Sequence, residues 1–201
     1  GYRFTVKVGK PKDLAAAKKG TKLARGANFQ CIMSGQPIQG DYIKAEGRAG
    51  RMGAKLMAIV AEGDNGRVYL PPLPEHEVIA RQAEPTWKPD LLMPKNPRWF
   101  SPPIFGLATF ADLFTPRQLV ALTTFSDLVG EAMARAEQDA IAAGLPDDRI
   151  PLRDGGTGAR AYAEAVGVYV SFTLSKQADL GNSLCGWEPI AQCPRHLFSR
   201  Q

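Results

Sequence analysis

No stretch of the sequence stays apolar for anything near the roughly 18 residues that a membrane-crossing helix requires, and the opening "GYRFTVKVGK" lacks the apolar run of a signal peptide. Cysteine is scarce. Cys31, Cys185 and Cys193 are odd in number and irregular in spacing, which argues against a disulfide framework and fits a reducing compartment. A cytoplasmic protein with no membrane partner is the expectation. Histidine is scarcer still, with only His76 and His196, and nothing but the proximity of His196 to Cys193 in the chain places a base beside a thiol, so buried, unreactive cysteines are expected.

Motifs that organise chemistry are missing too. No CxxC pair occurs anywhere. The stretch "CIMSGQPI" has the shape of a zinc-ribbon knuckle, but Ser34 stands where the second thiolate would be, and a hydroxyl is a poor zinc ligand. Cys31, Cys185, Cys193 and His196 fit no common Cys3His spacing, so no metal is expected. "GRAGRMG", residues 47–53, sets glycines three apart around Arg48 and Arg51. It lacks the Gly-Lys-Ser/Thr ending of a P-loop and the flanking strand and helix of a dinucleotide fingerprint. Two readings stay open for it: backbone amides and guanidinium groups close to a phosphate, or a flexible turn leading into the next strand. The paired carboxylates Asp147 and Asp148 lie in a polar loop and read as solvated.

What the chain does have is enough apolar content, 44%, for a core, and a segregated charge. Residues 1–60 hold 12 Lys/Arg against 3 Asp/Glu and carry +9; residues 61–201 hold 13 against 17 and carry −4. Such asymmetry is the footprint of a face that approaches a polyanion such as nucleic acid, the alternative being a merely solubilising surface.

The expected fold class is α+β, a small β-rich unit followed by a long antiparallel helical hairpin. Residues 1–72 read as a basic β-rich unit. In it "YRFTVKV" alternates with Tyr2, Phe4, Val6 and Val8 on one face, predicting a strand. A helical turn is expected from Leu14 to Lys19. A short strand through Phe29, Cys31 and Met33 should end in the Ser34-Gly35-Gln36-Pro37 turn, and a hairpin should fold about Asp64, Asn65 and Gly66. Residues 73–112 read as a connector, since 9 of the 16 prolines fall between 70 and 103, with one short helix in "PEHEVIARQAE". Residues 113–201 read as helical. Thr115 caps a helix with Pro116 in its first position, and Leu119, Leu122, Phe125, Val129, Ala132, Met133 and Ala136 form its stripe up to Gly144 and Pro146. A second helix, about residues 159–180, presents Tyr162, Val166, Tyr169, Phe172 and Thr173, and the two stripes are expected to bury each other.

Several segments resemble a known family, the adenine-specific DNA methylases that carry an embedded zinc ribbon. "LFTPRQLVALTTFSDLV", residues 113–129, is similar to the family's "DLFTPRQLLALTTF". "NSLCGW" at Asn182 is similar to its "NSSLCRW", and the terminal "FSRQ" to the start of its "F-x-RQALPMVWDF". "GTKLARGANFQCIMSGQPI" falls where the family has its "CPVCG" knuckle, and "KAEGRAGRMGAKLMAIV" fits the pattern that follows it. The resemblance implies a parent enzyme with a Rossmann-like core that uses S-adenosylmethionine and holds the flipped adenine in an Asp/Asn-Pro-Pro-Tyr loop. That loop is not in this sequence, "SPPI" at Ser101 and "YLPP" at Tyr69 being its poor approximations, nor is a Gly-rich cofactor loop. The resemblance therefore implies an excised internal region between the parent's cofactor half and its catalytic loop, with Gly1 as a cloning remnant.

On this reading no residue is catalytic, cofactor-binding or metal-binding, and Lys22, Arg25, Lys44, Arg48, Arg51 and Lys55 contact the phosphates of DNA while the helices dock on the methyltransferase core of the parent chain. A purely structural insert that never touches DNA is the alternative, separated from it by whether the cations converge on one exposed face or scatter. A third class, a small enzyme with Cys185 or Cys193 as nucleophile, requires a histidine within hydrogen-bond reach of a thiol.

Overall fold

Two long helices that pair antiparallel, and three small antiparallel sheets, give an α+β architecture in a computed structural model that describes residues 3–96 and 100–198. The chain divides into two units, residues 1–81 with 91–110, and residues 82–90 with 111–201. The expected connector, 73–112, is thereby shared between them. No helix among the described residues is long and apolar enough to cross a membrane.

In the first unit α1 (Leu14–Lys19) starts where the Asp13 carboxylate accepts a hydrogen bond from Ala16 N at 2.9 Å, and ends in Lys18 and Lys19, both termini matched to the helix dipole. None of its residues is buried. Strands β1 (Lys22–Ala24), β2 (Asn28–Gln30) and β3 (Pro37–Ile38) form a three-stranded sheet in that order. Between β2 and β3 a tight knuckle closes on two backbone bonds, Gly35 N to Cys31 O and Cys31 N to Gln36 O. Helix α2 (Gly40–Arg48) follows. β4 (Ile59–Gly63) and β5 (Gly66–Leu70) then make the expected hairpin, pairing Gly63 with Gly66 around Asp64 and Asn65, with Gly66 at φ 116°, a value that disfavours a side chain. α3 (Pro74–Arg81) is the short helix expected in the proline-rich stretch. Met93, 4% exposed, is the most buried side chain among the unit's described residues; a bridge between Leu92 and Thr109 and the bond Met93 N to Ala108 O hold its loop.

Two expectations fail in this unit. Residues 3–8 form no strand; Tyr2 lies outside the described residues, and Val8 is 80% exposed. Alternation states only that one face prefers burial, and without a partner ladder it does not make a strand. The strand expected to run on through Cys31 and Met33 stops at Gln30, because the knuckle's turn takes those residues instead.

The second unit is built on α4 (Pro116–Ala142) and α5 (Ala159–Leu180), of 27 and 22 residues. At the start of α4 the Gln118 carboxamide reaches back to accept from Thr115 N at 2.8 Å, half of a capping box. Three ties set the antiparallel arrangement. At one end the Ser183 amide and hydroxyl both donate to Leu113 O; at the other Ala159 N donates to Pro146 O; midway Met133 packs on the bare backbone of Gly167. Leu113, Leu119 and Ala140 are buried, as are Ala159, Ala161, Ala163 and Gly167. Beyond α5, β6 (Trp187–Glu188) pairs with β7 (Cys193–Pro194). Of "FSRQ", residues 199–201 lie outside the described residues.

The pairing of the helices is as expected, but of the five residues expected on the buried face of α5 only Val166 is half-buried. Tyr162, Tyr169 and Phe172 point outward, 52%, 75% and 64% exposed, and Phe125 of α4 is exposed as well. The buried positions are instead Ala159, Ala163 and Gly167, four residues apart, and at Gly167 the α5 backbone lies against Met133 of α4. A Cβ on Gly167 would overlap Met133 Sδ and Cγ. Gly167→Val is therefore expected to destabilise the fold by about 1–3 kcal/mol through overpacking, while Tyr169→Ala, losing one edge contact with Phe172, should lose about 1 kcal/mol or less; thermal or denaturant unfolding of the two variants measures the difference.

Candidate nucleic-acid interface

The six cations assigned to phosphate differ sharply in their surroundings. Lys44 Nζ lies 2.9 Å from Asp41 Oδ1, one helical turn away on α2. Arg51 grips Glu46 through two nearly parallel bonds, Nε to Oε2 at 2.8 Å and Nη2 to Oε1 at 2.7 Å. Lys55 Nζ lies 2.8 Å from Glu77 Oε1 on α3, and the other oxygen of Glu77 meets Arg81 at 3.2 Å. The bonds from Lys44, Arg51 and Lys55 are the leading cause that holds Asp41, Glu46 and Glu77, respectively, below the usual carboxylate range. The Lys44 and Arg51 pairs are close to neutral as seen from a distance, while Glu77, shared by Lys55 and Arg81, leaves its group with one positive charge. Lys22 Nζ sits 5.0 Å from the centre of the Phe29 ring, across the β1–β2 pair. Arg25 and Arg48 are exposed and join no ion pair among the described residues.

The glycine-rich stretch 47–53 has a structural explanation. Gly47 and Arg48 are the last turn of α2, and Gly50, at φ 68°, follows as its left-handed stop. Arg51 N donates to Glu46 O and Gly50 N to Gly47 O, both at 3.0 Å, the two bonds of a Schellman cap. The Arg51–Glu46 ion pair spans the same cap. Gly47 has a second reason to be glycine: a Cβ there would overlap the Phe105 carbonyl, and one on Gly106 would overlap the Gly47 carbonyl, so the turn Pro102–Phe105 lies directly on the helix. The signal for this cap was available in the sequence, a basic residue and then a glycine closing a polar helix.

Sequence reasoning passed over Arg3, Lys7, Lys10, Lys12, Lys18 and Lys19. All are exposed, and none is in an ion pair among the described residues. Counting nearby acids would have found them, for Asp13 is the one carboxylate between residues 3 and 40.

The histidines and cysteines are arranged differently from a nucleophilic site. His196 Nδ1 is 2.6 Å from Asp179 Oδ2, Phe198 N donates to Asp179 Oδ1 at 2.7 Å, and Cys185 Sγ donates to Asp179 O at 3.2 Å. The Phe198 amide, ahead of His196, holds the Asp179 carboxyl below its usual range. His76 Nδ1 accepts from Leu73 N. Among the described residues no hydrogen bond joins a histidine to a thiol, so the small-enzyme reading lacks its base. Near these groups an open hollow of about 490 Å³ is lined by Leu180, Glu188, Cys193, Pro194, Arg195 and His196, its charged members Glu188 and Arg195 paired with each other. At the knuckle the Ser34 hydroxyl, followed by the Ser34 and Met33 backbone, holds the Cys31 thiol below its ordinary pKa. One thiolate and a hydroxyl do not fit a zinc ribbon's donor set, and among the described residues no three His, Cys, Asp or Glu side chains form a group that could hold a metal ion.

Comparison with known proteins finds no family model, curated protein or solved structure that matches the chain.

The close approach of α2 to the Pro102–Phe105 turn makes a prediction opposite to helix propensity. Alanine at an open helical site is favoured over glycine by about 1 kcal/mol, yet Gly47→Ala is expected to lower the melting temperature because its Cβ meets backbone. A rise in melting temperature would mean that the two segments do not touch in solution.

Proposed function

We propose that this chain is the non-catalytic DNA-recognition and scaffold region of an adenine-specific, S-adenosylmethionine-dependent DNA methyltransferase that works in the cytoplasm, its partners being DNA and the methyltransferase core of its parent chain. The observation that carries this reading is the charge segregation, +9 over residues 1–60 against −4 over the rest, together with the motif resemblance described above. Free thiols at Cys31, Cys185 and Cys193 agree with a reducing compartment. The scaffold half of the proposal is supported by the exposed side chains of Phe125, Tyr162, Tyr169 and Phe172 on the helical hairpin, since large apolar side chains left outside a core are what a docking face requires. The cofactor and the adenine pocket belong to other parts of the parent.

A specific observation favours the second reading, a structural insert without DNA contact: Lys44, Arg51 and Lys55 are engaged by carboxylates of their own unit. Duplex binding decides between the two. DNA contact predicts weak binding, indifferent to sequence, with log K falling against log salt at a slope of about −4 to −5 for four to six phosphate contacts. No binding of a mixed-sequence duplex even at low salt would leave the structural insert as the better account.

A further inference from the structure

The cations in the first unit fall into two groups. From residue 40 to 60 the positive side chains are Lys44, Arg48, Arg51 and Lys55, and three of the four are matched by a carboxylate. From residue 3 to 25 there are Arg3, Lys7, Lys10, Lys12, Lys18, Lys19, Lys22 and Arg25 against Asp13 alone, and the Asp13 carboxylate is turned to the start of α1 rather than to a cation. We infer that residues 3–25 are the element that contacts DNA, and that they grip the phosphates of a duplex without reading its bases. The inference rests on the DNA-recognition reading above and names the surface that performs it.

Exposure points the same way. Every residue from 7 to 26 is exposed, and α1 buries nothing, so a helix of this length gains no support from packing. The segment's cations are therefore presented to solvent and, Lys22 over Phe29 apart, join no partner side chain among the described residues, free to exchange counterions for phosphate oxygens. Lys22, held over Phe29, lies where the segment enters the β1–β2–β3 sheet, so the sheet anchors one end of it.

Composition selects the form of nucleic acid. Between Phe4 and Phe29 there is no aromatic side chain, which removes the stacking platforms that single-strand binders use. There is no glutamine either, and the one carboxamide, Asn28, donates to Arg25 O at 2.8 Å, so the amide grip on adenine is not on offer. Six of the eight cations are lysines, compact point charges suited to phosphate more than to the bidentate reading of guanine. An anionic lipid surface would attract the same lysines, but an interfacial helix needs a wide apolar face, and α1 has only Leu14 beside three alanines.

The full chain is titrated with a labelled mixed-sequence duplex, the single strand of the same length, and phosphatidylcholine vesicles containing phosphatidylserine. One variant combines Lys7→Gln, Lys10→Gln, Lys12→Gln, Lys18→Gln and Lys19→Gln; another combines Lys44→Gln, Arg51→Gln and Lys55→Gln. The first should keep the wild-type melting temperature, since its sites are exposed, yet bind duplex about two orders of magnitude more weakly at low salt with a salt slope shallower by about 4. The second should change the slope by less than about 1, and the wild-type chain should prefer duplex to single strand and to vesicles. Wild-type duplex binding that survives in the first variant would overturn the inference while leaving the DNA reading in place. Preference for vesicles or for single strand would overturn it as well, and no duplex binding by the wild-type chain would remove both together.

Discussion

The close contact of Met133 with Gly167 sets the second unit. Because position 167 has no side chain, α5 lies close against Met133 of α4, with Ser183 bonded to Leu113 at one end of the pair and Ala159 to Pro146 at the other. Small residues at the contact bury little area each, so the seam is stabilised by dense packing over a long stretch more than by any single large side chain. The same geometry decides what stays outside. With alanine and glycine facing α4, the rings of Tyr162, Tyr169 and Phe172 have nowhere to go but the surface, which is why a region proposed as a scaffold carries its aromatics on its exterior.

The first unit is governed by charge matching. Its regular pieces are short, and ion pairs and caps join them: Lys55 ties the segment after α2 to α3 through Glu77, and Arg51 folds back on the Schellman cap that ends α2. Cations used this way position backbone. Those from residue 3 to 25 join no ion pair among the described residues and lie on chain that contributes little to the core. The unit thus combines an exposed basic stretch outside its ion pairs with central cations that its own carboxylates neutralise.

How much of this was legible in the sequence depended on whether the signal was local. The two long helices were read close to their ends because Thr115-Pro116 and Gly144 are local punctuation, and the β4–β5 hairpin because Asp64-Asn65-Gly66 is turn chemistry. The buried face of α5 was misread because aromatic residues carry the stronger apolar signal, whereas close helix approach selects for smallness. Helix α2 was missed since its sequence, "GDYIKAEGR", is short, framed by glycines and holds only two large apolar residues, Tyr42 and Ile43. The pairing of Lys55 with Glu77, and the meeting of Cys185, His196 and Phe198 on Asp179, join residues far enough apart that only the folded chain brings them together. Lysines with no acid near them in the chain were legible in the sequence, yet only Lys22 and Arg25 of that stretch were singled out, beside a glycine-arginine repeat that ends a helix.

Amide hydrogen exchange on the full chain, with and without a saturating mixed-sequence duplex at low salt, tests the central claim most directly. The account predicts slowed exchange confined to residues 3–30, through α1 and the β1–β2 pair, with the amides of α4 and α5 unchanged. Protection that appears instead on the outward face of α5 or around the α2 cap, with none between residues 3 and 25, would contradict it.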